Sequence, residues 1–510
     1  MKDFIELDGS SLTIEDFIDI ARRGKRVKLS EESLQKVEKS REVVERVISE
    51  NKPVYGINTG FGDLAKVGVE AGSLEQLQDN LILSHCAGVG EPINEEESRG
   101  MMALRINTLA KGYSGIRANT LSTLVEMLNR GIIPIIPSKG SLGASGDLIP
   151  LAHMANALFG RGECRYKGEF ATVKYAFENE KLSPVVLAAK EGLALINGTQ
   201  FMCSLGAISC FDVDNLLKNA QIVGAMAVEA LMATDKFVSE KVHLLRPHTG
   251  QMAVAENLRK LVAGSEIIAS HMDCDTVQDA YTLRCVPQIL GASADVLAHV
   301  REKITIEMNS TTDNPIVFPD SGDVVSQGNF HGQPIAMPLD YLGIGTAEMG
   351  DWCERLTFRM LSSSLSGLPP FLVRESGLNC GLMLSQYTGA ALVAENRILC
   401  HPASVDSISS SAGQEDHVSM GATAALKLRQ IIENTGYILA IGMLCASQAL
   451  DFRNGTKAGR GTRAAYEAVR ERISPLEQDR YIKDDIDILF NMVRSGEIVD
   501  RVETAVGELM

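Results

Sequence analysis

At 510 residues the chain is long enough for a large core, and its length suggests two or three domains. Hydrophobic residues at 45% and charged residues at 22% are ordinary for a globular protein, while few aromatics beside 45 Gly and 19 Met lean towards a helix-rich enzyme with close helix contacts. A net charge of −16 without any Lys/Arg run argues against nucleic-acid binding, and no window reaches the ~18 uninterrupted apolar residues of a membrane span.

The N-terminus, Met1-Lys2-Asp3-Phe4-Ile5-Glu6, carries acids where a signal peptide would be apolar, so a cytoplasmic protein is expected. Thr13 and Ser30 read as N-caps of helices near 14–23 and 31–50. Between 54 and 62 the glycines of Val54-Tyr55-Gly-Ile-Asn-Thr-Gly-Phe-Gly62 predict an ordered loop. Asn94 with Glu97 reads as a capping box for a helix to about Gly112. A helix near 118–130 precedes Ile132–Pro137, whose prolines forbid a central strand. The Gly-rich stretch Gly140–Asp147 then opens a helix from about Leu148, and a small hairpin is predicted at 163–172.

Long helices are predicted at about 199–235, 337–363 and 418–450. The first is apolar around most of its circumference, as in a bundle or an oligomer interface. The expected fold class is all-α (mainly α), a long-helix bundle. A smaller loop-rich catalytic domain is assigned to residues 1–110 and the elongated helical body, carrying the oligomer core, to 111–510. Ten scattered cysteines without a C-x-x-C pair read as reduced thiols, and nine histidines without zinc spacing predict no metal site.

The chemistry centres on Ala144-Ser145-Gly146. Alone the tripeptide is weak, since about 0.2 copies arise by chance in a chain this long. A nucleophile elbow needs G-x-S-x-G, which Gly146-Asp147 breaks. A phosphate loop needs a Lys and an uncharged helix start, and Asp147 stands where the anion would sit.

The longer string Gly143-Ala-Ser-Gly-Asp-Leu-Ile-Pro-Leu-Ala-His153 resembles the signature of the aromatic amino-acid ammonia-lyase and aminomutase family. That resemblance implies that Ala144, Ser145 and Gly146 cyclise into 4-methylideneimidazole-5-one (MIO), with no metal or nucleotide. The residue types suit the chemistry. The Gly146 nitrogen attacks the Ala144 carbonyl in a tight bend, and the Ser145 hydroxyl leaves as water.

Further blocks extend the resemblance from Tyr55 to Met420, and each residue also has a plainer reading. Tyr55 could be a packed loop Tyr; the resemblance makes it the base for the substrate β-proton, with neighbours that lower its phenol pKa. His85, at a helix end, could satisfy terminal carbonyls, and the resemblance places it around the substrate ring; Cys86 beside it departs from the family pattern. Asn197 could be a turn residue, and is implied beside the MIO ring. In Gln278-Asp-Ala-Tyr281-Thr-Leu-Arg284, Tyr281 and Arg284 share a helix face. The resemblance makes Arg284 a carboxylate clamp, brings Tyr281 near the methylidene and counts Gln278 among the substrate-binding residues. Phe330 in Gly328-Asn-Phe-His-Gly-Gln-Pro334 is implied to pack on the substrate or ring, while Ser326-Gln327 and Gln333 depart from the family pattern.

Glu415 discriminates between substrates. It could simply favour the positive end of the next helix. However, Gln414-Glu-Asp-His-Val-Ser-Met420 resembles the histidine-acting branch, and a buried carboxylate suits an imidazole N–H better than a phenyl ring. The implied reaction converts L-histidine to trans-urocanate and ammonia, the first step of histidine degradation, in a homotetramer whose sites draw on three subunits. The alternatives are a tyrosine or phenylalanine lyase or aminomutase, and an inactive helical scaffold.

Overall fold

Residues 4–50, 53–60, 62, 67–271 and 277–510 are described by the computed structural model. Side-chain caps begin the early helices. Thr13 accepts the Asp16 amide at 3.1 Å to start α1 (Ile14–Ala21), and Ser30 accepts the Ser33 amide at 3.0 Å to start α2 (Glu31–Glu50). After α3 (Leu74–His85) the Asn94/Glu97 capping box opens α4 (Glu95–Ala110), with Glu97 accepting the Asn94 amide at 2.9 Å. The glycine-rich loop leads into α5 (Leu148–Leu158), followed by α6 (Glu191–Ile196) and α7 (Gln200–Ala230).

Helix α7 stops short of 235. Met232 adopts a left-handed φ of 55°, and the Ala233 amide reaches back to the Val228 carbonyl at 2.9 Å, which closes the helix end. The remaining long helices are α8 (Val286–Met308), α9 (Gln333–Leu361), α10 (Met383–Leu399) and α11 (Gly421–Asp451). Helix α9 begins earlier than expected because Pro334 falls in its first turn, where no amide proton is needed.

Strands are short. The predicted hairpin pairs Glu163–Tyr166 with Glu169–Thr172, and Ile132–Pro134 joins it as an edge strand, the position its proline permits. A parallel pair, Phe4–Leu7 with Arg26–Leu29, was absent from the expected elements. The fold is mainly α.

By packing, the chain divides into two compact units. One comprises Met1–Phe211, Val300–Asp340 and Pro402–Leu426; the other comprises Asp212–His299, Tyr341–His401 and Lys427–Met510. The boundary expected at 110/111 falls inside the first unit. Helix α4, which ends there, is buried on nearly every side. Its Gly100 is the contact point: a Cβ there would lie 2.6 Å from the Phe17 ring and 2.4 Å from Ser204 Oγ. In the second unit the long helices also meet at glycines. A Cβ on Gly224 would sit 3.1 Å from Trp352, and one on Gly442 would sit 2.5 Å from Cys353 Sγ. The glycine-rich, aromatic-poor composition is thus used in helix contacts.

Phe17 is fully buried, whereas Phe170 is 66% exposed. Phe17→Ala is expected to destabilise by about 3–5 kcal/mol and Phe170→Ala by no more than about 0.5 kcal/mol. Denaturant midpoints of the two variants check the contrast, and equal shifts would contradict this core.

Candidate active site

The loop before α5 bends sharply because its glycines allow it. Gly143 and Gly146 hold φ of 67° and 72°, in the left-handed region. At Gly146 the packing also admits no side chain, since a Cβ would lie 2.2 Å from the Gly198 carbonyl oxygen. The same carbonyl accepts the Asp147 amide at 2.6 Å. The Ala144–Gly146 backbone is therefore seated on the turn that follows α6. From that turn Asn197 Nδ2 donates to the Ser145 carbonyl at 2.7 Å.

Asp147 serves a helix other than the one it precedes. It precedes α5 but makes no side-chain cap on that helix. Its carboxyl instead accepts the Ser141 hydroxyl at 2.7 Å and the Met202 amide, in the first turn of α7, at 3.0 Å. Complete burial pushes its pKa up to about 7, against the opposing pull of these hydrogen bonds.

Tyr55, His85, Ala144, Ser145, Asn197, Phe330 and Glu415 line one cavity of about 760 Å³ in the first unit. Gly146 lies behind them and lines a smaller cavity of about 290 Å³ that shares Ser145 and Glu415. Glu415 sits at the centre, accepting the Ser145 hydroxyl on one oxygen and the Ser410 hydroxyl on the other, both at 2.7 Å.

Tyr55 is positioned by Gly56, whose φ is 74° and whose Cα packs so closely that a Cβ would lie 2.7 Å from Pro315. Its phenol pKa is raised, first by burial and further by the Glu415 charge, while a Gly62 backbone hydrogen bond opposes the shift. The phenol pKa is thus raised where a lowered one was expected, and among the described residues the charge acting on it is a carboxylate, which disfavours phenolate. His85 is the last residue of α3, with Nδ1 3.1 Å from Ser84 Oγ. Burial lowers its pKa more than a Leu81 backbone hydrogen bond and Glu415 raise it, which favours the neutral imidazole.

Three expected residues are not among those lining the cavity. Gln278, Tyr281 and Arg284 belong to the second unit, where they form a group of their own. Arg284 donates to Gln278 Oε1 at 2.9 Å and stacks 4.6 Å from the Tyr281 ring centroid. The predicted shared face of Tyr281 and Arg284 is present on the short helix Tyr281–Arg284, and Tyr281 is 70% exposed.

Sequence reasoning missed Ser410, an unremarkable Ser among three in succession, and His417, whose carbonyl lies 3.2 Å from His331 Nε2 on the cavity wall. It also missed Arg105, signalled only by its charge within an apolar stretch of α4. The departing Gln327 lines the cavity and donates to the Asp313 carbonyl at 2.7 Å, so it anchors the segment carrying Phe330. Phe61 and Cys274 lie outside the described residues.

The Asp147 shift has a signed consequence. Its folded pKa of about 7 lies above the ordinary 3.8. The stability it contributes is therefore full below about pH 4 and lost as pH rises through about 7. Against Asp147→Asn, which cannot titrate, the wild-type chain should lose relative stability across that window and no further above it. Unfolding midpoints from pH 4 to 8 measure the difference, and a constant gap would contradict a buried, titrating carboxyl.

Residues 12–471 match the aromatic amino acid lyase family. The chain is 50% identical over 502 residues to the histidine ammonia-lyase of Alkaliphilus oremlandii (strain OhILAs), covering 98% of this chain and 99% of that one. It is similar to the crystal structure of histidine ammonia-lyase from Trypanosoma cruzi at 41% identity and a TM-score of 0.92, covering 99% and 96% of the two chains. A tyrosine aminomutase from Streptomyces globisporus matches at 37% identity and a TM-score of 0.94, covering 99% and 100%. This chain belongs to the aromatic amino acid lyase family.

Proposed function

We propose that the protein is a carbon–nitrogen lyase that converts L-histidine to trans-urocanate and ammonia. One observation carries the reading: the Ser145 hydroxyl meets Glu415 and its carbonyl meets the Asn197 amide, both at 2.7 Å, on the wall of a cavity large enough for an amino acid. The 50% identical A. oremlandii relative supports the choice of histidine.

The residues present fit an MIO group. Gly146 lies where a Cβ is impossible, Ala144 is small and buried, and the Ser145 carbonyl, which ring closure retains, already has its donor. The ring would supply an electrophilic carbon for the substrate α-amine. Its formation removes two waters: one as the Gly146 nitrogen joins the Ala144 carbonyl carbon, one as Ser145 loses its hydroxyl and α-hydrogen.

The side chains then take separate roles. Asn197 donates to the Ser145 oxygen, where a preset donor stabilises negative charge without reorganisation. Glu415 accepts an imidazole N–H of the substrate, and neutral His85 offers a second polar contact to the same ring. Phe330 packs on the substrate. Tyr55 takes the β-proton, for which a cation must offset the burial and the Glu415 charge that together raise its phenol pKa.

Arg284, with Gln278 and Tyr281, supplies that cation and the carboxylate clamp from a second copy in the proposed homotetramer. Uncovered apolar faces support such assembly: Tyr341, Ile344 and Phe358 on α9, and Leu384, Tyr387 and Ile398 on α10, are all exposed at helical spacing. The proposed compartment is the cytoplasm, in keeping with nine described cysteines that form no disulfide among the described residues.

Incubation with L-histidine, L-tyrosine and L-phenylalanine, read by product absorbance, tests the assignment. Histidine should turn over fastest, and absence of urocanate would overturn the substrate. Intact mass should be two waters below the sequence, with the full mass restored in Ser145→Ala. Glu415→Gln should lower kcat/KM for histidine roughly a hundredfold or more while keeping the mass deficit, because an amide can present its N–H₂ where an acceptor is required.

A further inference from the structure

Arg105 lies in the middle of α4, fully buried, beside Met101, Met102, Leu104 and Ile106, which are buried as well. An apolar residue would fill this place without desolvating a charge, so the guanidinium needs a specific reason to be there. Among the described residues no carboxylate pairs with it. Asp313, whose charge acts on it, is engaged by Lys190 Nζ at 2.9 Å, with both side chains fully buried. Burial pushes the arginine pKa down to about 10, so it remains charged at neutral pH.

All its acceptors are neutral and surround the turn after α6. Nε donates to the Ala194 carbonyl at 2.9 Å, and Nη2 donates to the same oxygen. Nη1 reaches the Asn197 carbonyl at 3.2 Å, Gln200 Oε1 at 3.0 Å and the Thr312 carbonyl at 2.9 Å. Two of these are carbonyls at the C-terminal end of a helix, where a cation is favoured. Between them Gly198 presses against the guanidinium so closely that a Cβ would lie 2.4 Å from Nη1. On its other side Gly198 accepts the Asp147 amide and meets Gly146. Arg105 therefore backs the short piece of chain whose front bears on Ser145-Gly146.

We infer that Arg105 is a positioning residue for the reaction, gripping the Asn197 and Thr312 carbonyls so that the Asn197 amide is held on the Ser145 carbonyl oxygen. The inference rests on the functional reading above. Arg105 touches no substrate, and its effect passes through Asn197. A lysine there keeps the charge but cannot reach this spread of acceptors at once, because it lacks the planar fork.

The test is a double-mutant cycle on the purified full-length enzyme with Arg105→Lys, Asn197→Ala and both. Steady-state kinetics with L-histidine are read beside intact mass and the near-ultraviolet difference spectrum against Ser145→Ala. Arg105→Lys should keep the two-water deficit, lower kcat about tenfold or more with KM within about twofold, and shift the ring absorbance in the same direction as Asn197→Ala. In the Asn197→Ala background, it should change kcat by less than about twofold. Losses that multiply, or an unchanged kcat and spectrum in Arg105→Lys, would overturn the inference. If Arg105→Lys does not fold, Gln200→Met, which removes one acceptor of the guanidinium, goes through the same cycle under the same criteria. Full activity in Asn197→Ala, or no turnover by the wild type, would instead overturn the underlying functional reading.

Discussion

The site depends on two glycine backbones in direct contact. Gly146 approaches Gly198 until no side chain fits between them, and the Asp147 amide donates to the Gly198 carbonyl. This contact connects a reactive loop to a turn more than fifty residues later, and neither segment is regular secondary structure. Irregular backbone can be this close in a buried place only if its polar groups are satisfied. The Asp147 carboxyl serves Ser141 on the loop side and the start of α7 on the turn side, while Arg105 serves the turn from behind. The long helices act as fixed mounts for these loops, which is why the functional residues lie at their ends.

Electrostatics sort the surrounding groups. Buried Lys190 and Asp313 form a closed pair, and Arg105 is held by carbonyls. Within the cavity the shifts run in opposite directions: burial lowers His85 towards a neutral ring, while burial and Glu415 raise Tyr55 towards a neutral phenol. Glu415 thus affects both Tyr55 and His85. A neutral imidazole beside a carboxylate can complement a substrate ring that donates one N–H and accepts at its other nitrogen.

Features whose physical cause is local were legible in the sequence. The caps at Thr13 and Ser30, the Asn94/Glu97 box and the hairpin at 163–172 depend on neighbours within a few residues. So did the loop bend at Ala144-Ser145-Gly146, which glycine alone makes possible. Partners far along the chain were not legible. Asp147 stood out only as the acid that excludes a phosphate loop, yet its carboxyl serves a helix beginning more than fifty residues on. Arg105 has its acceptors between 194 and 312, and nothing adjacent to it in sequence announces them. Four of the five divisions between the compact units fall within long helices, where hydrophobic periodicity gives no mark. The family resemblance supplied what local reasoning could not, namely which distant blocks belong together.

Among the described residues, the charge balance of the cavity sets a condition on the proposed base, Tyr55. Burial opposes the loss of its proton, and the Glu415 carboxylate adds to the opposition. Stronger solvation would relieve this but would also weaken the hydrogen bond from Asn197 to the Ser145 carbonyl, since both act through the same low-dielectric surroundings. A positive group brought in with the dry environment kept is the remaining solution. In the proposed assembly that group is the guanidinium of Arg284, carried with Tyr281 on a short exposed helix, and the uncovered faces of α9 and α10 drive the association. Hydrophobic burial between copies and activation of Tyr55 then become one event. In that assembly, neighbouring copies would cover the exposed apolar faces of α9 and α10 and offset the Glu415 charge that, among the described residues, stands beside Tyr55.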